Sequence, residues 1–505
     1  MSRARASVGL SLLSLIVTLF SLANQIVIAR AFGASHAFDE YLQATSIPML
    51  VMGAFGGLAA YALVPALTRA TSNTEASERA TAFLLALVGV GAVIAIVGVV
   101  SAPQALHVLT RSARAPITTQ AIDVARIAWA SVLASTILAF ATSLLNLNGR
   151  YVLALLMSSL TYATTPIAVL ALGSAIGITS IAWGLAAGTF GGAIILLIST
   201  RRLLVLRGVR RAHFEPALAF FASAPLAVLS ALTFSIYQSV DAYWAPQLGP
   251  SSLSVLGYCQ RLLVALGTIM AAGPSVVLQP RLAAAANRGD DPAFTLDLAR
   301  ALRLTLLICA PVAAGISIVA APAVRLLFER GQFDRTATFA VAGLLPWMLA
   351  GMVPLVCTVM AFKALFARHD LRTAAVLGSA GPLIYFFGSG VSVRTVGLHG
   401  IGATYVLTWL LLASVAVLRV APQALGWLGE QRVPREVALL TSCTAGAALV
   451  GRWTVLEPWQ TVSQPDLLAR LLVAATLGVA TYVVVGLYVL RVDDLWILVR
   501  SARRA

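Results

Sequence analysis

The chain has 505 residues and a formal charge of +16, yet only 11% of its residues are charged and 59% are hydrophobic. Soluble domains carry about 25% charged residues, so this composition excludes a soluble protein and predicts a polytopic membrane protein. The basic residues stand singly between apolar runs, which argues against a nucleic-acid-binding domain and is typical of membrane topology.

Fourteen apolar runs are long enough to cross a bilayer, which requires about 20 residues. They lie near residues 8–30, 41–66, 80–102, 121–145, 151–173, 178–200, 217–245, 252–278, 301–321, 337–362, 373–393, 399–418, 436–455 and 467–490. The predicted fold class is therefore an all-α polytopic membrane protein with 14 transmembrane helices. The first run exceeds the apolar core of a signal peptide, so we interpret it as an uncleaved helix.

The distribution of arginine predicts the orientation of these helices. With the N-terminus inside, most basic residues outside the spans fall on the cytoplasmic side, including those of the linker at 201–216. Both termini are then cytoplasmic.

Several short motifs recur in the same order about six helices apart, which predicts two parallel six-helix repeats. The pairs are Tyr41-Leu-Gln43 with Tyr258-Cys-Gln260, Ala102-Pro103 with Ala321-Pro322, Gly149-Arg150 with Leu371-Arg372, and Gly177-Ile178 with Gly397-Leu398. We predict an N-terminal lobe at 1–200, a basic cytoplasmic linker at 201–216, a C-terminal lobe at 217–420, and a final helix pair with a cytoplasmic tail at 421–505. Such repeats bury a substrate site near the bilayer midplane.

The stretch 237–280 is unusually polar for a membrane protein. An ionisable group at membrane depth costs about 2.5–3.5 kcal/mol, so such groups usually face a cavity. Tyr237, Asp241 and Trp244 have the i, i+4, i+7 spacing of one helix face, and Arg261 follows in the next span. This face is the predicted wall of a polar pathway. The alternatives are a structural pair between Asp241 and Arg261 and an interfacial belt of aromatic residues.

Enzymatic and metal-dependent functions find no support in the sequence. A Walker A motif is absent, and no Ser or Cys is placed beside a His by a local signature. The four cysteines lie in apolar segments without metal-ligand spacing. We therefore expect a transporter that is not an enzyme, with no catalytic residues, metal or cofactor.

Four segments together resemble the MurJ/MviN family of the multidrug/oligosaccharidyl-lipid/polysaccharide exporter superfamily. They are Ile28-Ala-Arg30-Ala-Phe-Gly33 with Asp39, Tyr258-Cys-Gln-Arg261-Leu262, Leu327-Phe-Glu-Arg-Gly-Gln-Phe333 and Phe366-Ala-Arg-His-Asp-Leu-Arg-Thr373. The resemblance implies fourteen helices and a flippase that moves lipid II, an undecaprenyl-diphosphate-linked peptidoglycan precursor, outward across the bacterial cytoplasmic membrane.

The resemblance carries over to single positions. Arg30, Asp39 and Arg261 match charged residues that the family places in or beside its central cavity. The chain departs from the family at Asn24-Gln25, Met52 and Gly57, where an Arg-Asp pair, an arginine and an acid are usual. We expect Arg261, and then Arg30, to bind the diphosphate, and Asp39 and Asp241 to pair with arginine or a coupling ion. The residues expected to bind or stack on sugar are Asn24, Gln43, Gln260, Tyr237, Tyr243, Tyr258 and Trp244.

Because arginines that are usual in the family are missing at Asn24-Gln25 and Met52, the sequence does not identify the cargo. An exopolysaccharide or O-antigen repeat unit is the first alternative to lipid II. A cation-coupled drug antiporter and a non-transporting membrane scaffold are further alternatives. The expected partners are the lipid-linked glycan and membrane lipids for a monomeric protein, with contact to glycan synthesis enzymes and coupling to the membrane potential or a monovalent ion left open.

Overall fold

The computed structural model describes residues 3–68, 72–110, 117–205, 209–215 and 236–490. The described residues form helices joined by turns, with no β-strand among them, which confirms the all-α class. The chain separates into two compact units, Met1–Ser254 and Val255–Ala505. The lobe boundaries inferred from the repeat stay a prediction.

The first unit contains eight described helices and the start of a ninth. They are α1 (Arg3–Phe32), α2 (His36–Thr68), α3 (Asn73–Thr110), α4 (Thr119–Leu147), α5 (Tyr151–Ser158), α6 (Thr161–Ile176), α7 (Thr179–Thr200), α8 (Tyr237–Trp244) and the beginning of α9 (Ser252–Arg288). Helix α4 lies at the centre of this unit, because α2, α3 and α7 all pack against it.

The second unit contains the rest of α9 and eight further described helices. These are α10 (Asp291–Ile318), α11 (Ala320–Phe328), α12 (Arg335–Ala367), α13 (Leu371–Thr395), α14 (Leu398–Val420), α15 (Pro422–Glu430), α16 (Val433–Gly451) and α17 (Gln464–Val484). Helix α12 is central, because α10 and α14 pack along it, while α16 packs between α10 and α17.

Ten described helical stretches are long and apolar enough to cross a membrane, which makes this a multi-pass membrane protein. Two shorter apolar helices, Ile16–Phe32 and Ser252–Gly267, coincide with the first and eighth predicted spans. Most of the seventh span lies outside the described residues, and only its end is seen as α8. The count of fourteen therefore stays a prediction.

The span predicted as one helix near 151–173 is interrupted between α5 and α6. The hydroxyls of Ser158 and Ser159 both donate to the carbonyl of Leu155, at 3.0 and 2.8 Å. Serine hydroxyls compete in this way with backbone hydrogen bonds and weaken a helix locally. The amide of Tyr162 then bonds to the carbonyl of Ser159, an i to i−3 bond that forms a tight turn.

Close packing between α6 and α7 depends on small residues. A Cβ on Gly184 would lie 2.5 Å from the Cα of Thr165, and one on Gly188 would lie 2.6 Å from the Cα of Thr161. The hydroxyl of Thr164 also donates to the carbonyl of Gly184 at 2.7 Å. Small residues four apart allow membrane helices to approach closely and form such bonds.

One of the sequence pairs behind the predicted repeat has a similar backbone conformation in the two units. Gly177 and Gly397 both adopt positive φ, at 58° and 77°, directly after one helix and before the next. Pro103 lies inside α3, whereas Pro322 lies in the first turn of α11. The glycine turns therefore share a backbone conformation, and the repeat stays a prediction.

Candidate substrate site

Two turns in the first unit are joined by hydrogen bonds, and we call them the paired turns: residues 33–39 and residues 249–254. Helix α1 ends at Phe32, and Gly33 follows with a φ of +60° and donates its amide to the carbonyl of Ala29 at 2.8 Å. Glycine suits this position because it adopts positive φ without steric cost. The side chain of Ser35 then accepts the amide of Phe38 and starts α2.

Asp39 is the centre of the paired turns. Its side chain is only 5% exposed, and its carboxylate accepts the amides of Ser251 and Ser254, each at 2.6 Å, as well as the Ser254 hydroxyl. These amides lie at the N-terminus of α9, where backbone N–H groups have no partner within their own helix. A carboxylate at this position also interacts favourably with the helix dipole. Asp39 therefore caps a helix that is remote from it in sequence.

The second of the paired turns has a strained backbone. Ser251 has a φ of +70°, a conformation that L-residues other than glycine rarely adopt. Its amide is held by Asp39, and its hydroxyl donates to the carbonyl of Ala34 at 2.8 Å. The Ser254 hydroxyl also reaches the carbonyl of Ser35. The hydrogen bonds to the first turn compensate for the strain.

A polar cleft of about 280 Å³ opens beside Asp39 in the first unit. Gln43 lies in its wall and donates from Nε2 to the carbonyl of Ala242 at 3.2 Å, which ties α2 to α8. Two residues that the sequence analysis missed also line the cleft: Glu40 accepts the hydroxyl of Thr118 at 2.8 Å, and His36 lies 3.6 Å from Glu40. Their i, i+4 spacing at the start of α2 was the available signal.

The predicted polar face at 237–244 is helical, as its spacing indicated. Tyr237 and Asp241 are 5% and 1% exposed, and Trp244 is half-buried with its ring packed edge-on against Tyr243 at 5.0 Å. The hydroxyl of Ser239 donates to a carbonyl of α2 at 3.2 Å. This face is therefore packed inside the first unit.

The two predicted residues of α1 have different environments. Asn24 is 6% exposed, and its Oδ1 atom has no hydrogen-bond partner within the part of the chain that the structure describes. A buried polar atom without a partner is costly, so ligand or water normally satisfies it. Arg30 lies exposed in the last turn of α1, where a cation suits the helix dipole.

Three predicted residues follow one another on α9 in the second unit. Tyr258 is completely buried, and its ring packs against Phe328 and Phe333, at centroid distances of 5.3 and 5.1 Å. Gln260 and Arg261 are half-buried, and the Arg261 guanidinium lies 5.8 Å from the Tyr258 ring. Phe328 and Phe333 belong to the segment 327–333 that resembles the family. They pack against the Tyr258 ring, and this ring in turn lies beside the Arg261 guanidinium.

In the first unit Asp39 and Gln43 line one cleft, and Gln43 also bonds to α8. In the second unit Arg261 lies beside Tyr258. Across the described ranges, no three His, Cys, Asp or Glu side chains are grouped closely enough to hold a metal ion. Buried carboxylates, amides and a supported guanidinium can bind polar groups, which suits recognition of a polar cargo.

Comparisons with known proteins identify the family. The model of the family "Lipid II flippase MurJ" matches residues 28–470. A curated protein of Burkholderia cenocepacia named "Lipid II flippase MurJ" is 24% identical over 423 residues, covering 79% of this chain and 80% of that protein. A "Probable lipid II flippase MurJ" of Rhizobium meliloti is 25% identical over 265 residues, covering 52% of this chain and 48% of its own.

Solved structures share the fold. One titled "Lipid II flippase MurJ, inward closed conformation" superposes with a TM-score of 0.77 at 17% identity, covering 95% of this chain and 99% of its own. An inward-facing multidrug resistance transporter of the MATE family reaches a TM-score of 0.67, also at 17% identity, over 83% of this chain and 95% of its own. Since the family model covers most of the chain, the protein belongs to the MurJ family of lipid II flippases.

Proposed function

We propose that this protein moves lipid II, or a closely related undecaprenyl-diphosphate-linked saccharide, from the inner to the outer leaflet of the bacterial cytoplasmic membrane by alternating access. The match to the lipid II flippase family over residues 28–470 carries this proposal. Membership of that family makes the protein a transporter and not an enzyme. It does not favour the drug antiporter or the scaffold.

The diphosphate of the cargo needs a cationic partner. A diphosphate carries about two negative charges and cannot cross the hydrocarbon layer alone, since unpaired charge at membrane depth is costly. Arg261 lies within an apolar stretch of α9, half-buried beside Tyr258. Its guanidinium offers the planar fork that matches phosphate oxygens. We assign it the first contact with the diphosphate, and the exposed Arg30 the second.

The glycan of the cargo needs hydrogen-bonding groups and flat apolar surfaces. The proposed sugar-binding residues provide both, and the buried Oδ1 of Asn24 has an acceptor position open within the described structure. Tyr258 is the weakest of them, because its ring is fully buried in an aromatic cluster. Its role in the proposal is to position Arg261.

The polyprenyl chain needs an apolar surface open to lipid. An apolar groove of about 450 Å³ runs along α10, α11, α16 and α17 in the second unit. Its walls include Val312, Ile316, Leu326, Leu472 and Val479. We assign the polyprenyl chain to this groove, since an apolar chain can pack against apolar side chains without burying any polar group of its own.

Alternating access requires a contact that is made in one state and broken in another. The paired turns are suited to this role, because hydrogen bonds to a single carboxylate join them and the turn at Ser251 is strained. We propose that breaking the bonds to Asp39 accompanies opening of the pathway. An inside-negative membrane potential favours outward movement of an anion by about 2.3 kcal/mol per charge per 100 mV.

A second cargo stays an alternative because the chain differs at Asn24, Met52 and Gly57 from the charged residues that are usual in the family. Fewer cationic groups weaken the attraction for a diphosphate and leave more of the recognition to the glycan. An exopolysaccharide or O-antigen repeat unit on the same lipid carrier fits this arrangement. The remaining assignments, cytoplasmic termini and a monomer with its own pathway, belong to the same proposal.

Complementation tests the cargo. We would express the full chain in a bacterium depleted of its own lipid II flippase, beside Arg261→Ala and the control Arg288→Ala, which removes an exposed arginine at the end of the same helix. We expect growth with the parent and with Arg288→Ala, and none with Arg261→Ala at equal membrane levels. Failure of all three proteins, correctly inserted, would refute lipid II as the cargo and favour another lipid-linked glycan.

A further inference from the structure

A basic cleft in the first unit has no part in the proposed transport. Its volume is about 390 Å³, and it lies where α4 ends, α5 begins and α7 ends. The lining residues are Asn148, Arg150, Ile198, Ser199, Arg201, Arg202 and Leu203. Three of these seven are arginines and none is acidic, so the cleft concentrates positive charge.

Local geometry brings the three arginines to one place. Gly149 has a φ of +74° and reverses the chain after α4, which puts Arg150 directly before α5. Helix α7 ends at Thr200, and Arg201 and Arg202 follow in a tight turn. All three arginines are exposed, and none forms a salt bridge with any residue that the structure describes. Their charges are thus available to an external anion.

The surroundings of the cleft indicate what kind of anion binds. The stretches Tyr151–Ile176 and Thr179–Leu203 both qualify as membrane spans, so the cleft lies at their ends, where membrane meets water. Apolar side chains next to it are exposed: Val152 by 53% and Ile198 by 57%, with Tyr151 at 48%. A lipid can place its phosphate among the arginines and its acyl chains along this apolar surface.

The predicted orientation puts this end of the helices on the cytoplasmic side. Basic pockets between transmembrane helices on that side suit anionic headgroups, and each arginine near the surface strengthens binding about fivefold. We propose that the cleft binds the phosphodiester headgroup of an anionic membrane phospholipid. The bidentate fork of arginine matches the phosphate oxygens, and the amide of Asn148 and hydroxyl of Ser199 line the same space.

The test compares the purified full chain with two triple variants by native mass spectrometry during titration with phosphatidylglycerol. Arg150→Gln/Arg201→Gln/Arg202→Gln empties the cleft of charge. The control removes three exposed arginines elsewhere and changes the net charge equally: Arg288→Gln/Arg300→Gln/Arg372→Gln. We expect the cleft variant to bind phosphatidylglycerol at least about 10-fold more weakly than the parent, and the control to stay within about twofold.

Two further ligands separate the sources of the phosphate. Phosphatidylcholine has the same acyl chains and no net charge, and glycerol 3-phosphate has the phosphate without the chains. We expect both to bind the parent more weakly than phosphatidylglycerol does. Equal binding of phosphatidylcholine would overturn the role of charge, and equal binding of glycerol 3-phosphate would overturn the lipid assignment.

Equal losses of phosphatidylglycerol affinity in the two triple variants would show that net charge governs binding and would refute a specific cleft. Unchanged affinity in both variants would also refute the cleft as the binding site. Thermal unfolding confirms that each variant is folded. Should the triple cleft variant unfold, the single change Arg202→Gln replaces it, with Arg288→Gln as control. We expect Arg202→Gln to bind phosphatidylglycerol about fivefold more weakly than the parent and Arg288→Gln to bind it as the parent does. Equal affinity of the two variants would refute the site.

Discussion

Replacing Asp39 by asparagine tests the paired turns directly. The change keeps the size of the side chain and one acceptor oxygen, but the new NH₂ group faces a backbone N–H where a carboxylate oxygen accepted a bond at 2.6 Å. Losing a hydrogen bond to a charged group costs about 1.5–3 kcal/mol. Losing the charge at the N-terminus of α9 costs about 0.3–1 kcal/mol more.

The sum of about 2–4 kcal/mol corresponds to a factor of at least about 30 in the equilibrium between closed and open turns. Hydrogen exchange measured by mass spectrometry reports this opening, because the amides of Ser251 and Ser254 are the groups that Asp39 holds. We expect their protection to fall about 30-fold or more in Asp39→Asn, while protection in α12 stays unchanged.

The control is Asp334→Asn, the same substitution at a local cap, where the carboxylate accepts the amide of Ala337 at 2.8 Å. This variant should expose the start of α12 and leave the 249–254 turn protected. If Asp39→Asn left the 249–254 turn as protected as in the parent, the carboxylate would not be what holds the turns together, and the proposed opening step would lose its basis. A similar loss in both variants would indicate general destabilisation.

Three further substitutions test the packing, the capping and the charge pairing. Gly184→Ala should destabilise the protein by about 1–3 kcal/mol, because the new Cβ would lie 2.5 Å from the backbone of α6. In the control Gly191→Ala the new Cβ would meet only a side-chain carbon at 3.4 Å, so the melting temperature should stay unchanged or rise. Asp370→Ala should cost about 0.5–2 kcal/mol at neutral pH by removing the cap of α13. Hydrogen bonds from Thr373 hold the pKa of Asp370 below its usual value, so its contribution is full above the usual aspartate pKa and is lost as the pH falls through the lowered pKa. The difference in melting temperature between parent and variant should therefore shrink as the pH falls below about 4. Arg303→Ala breaks a half-buried ion pair of 3.1 Å with Glu436 on α16. It should lower the melting temperature more than Arg300→Ala, which removes an exposed arginine one turn away. Equal shifts in melting temperature would contradict a structural role for the pair.

The sequence by itself determined the class of the protein and much of its local structure. Long apolar runs have one stable solution in a bilayer, since a helix satisfies its own backbone hydrogen bonds, so composition and length predicted the spans. Glycine acts locally on the backbone, and the motifs at Gly177 and Gly397, which the sequence analysis paired, both lie at turns with positive φ. The i, i+4, i+7 spacing likewise predicted the helix that contains Asp241.

Tertiary structure decided what each polar side chain does. The resemblance placed Asp39 in or beside a cavity, and the structure shows that it lines a cleft and also caps α9 through Ser251 and Ser254. These residues lie more than two hundred positions away, so no local pattern encodes the contact. Tyr258 looked like a sugar-binding residue, and its ring is buried against Phe328 and Phe333. The reason is physical: helical periodicity fixes which residues share a face, whereas the partner of that face depends on packing between segments distant in the chain.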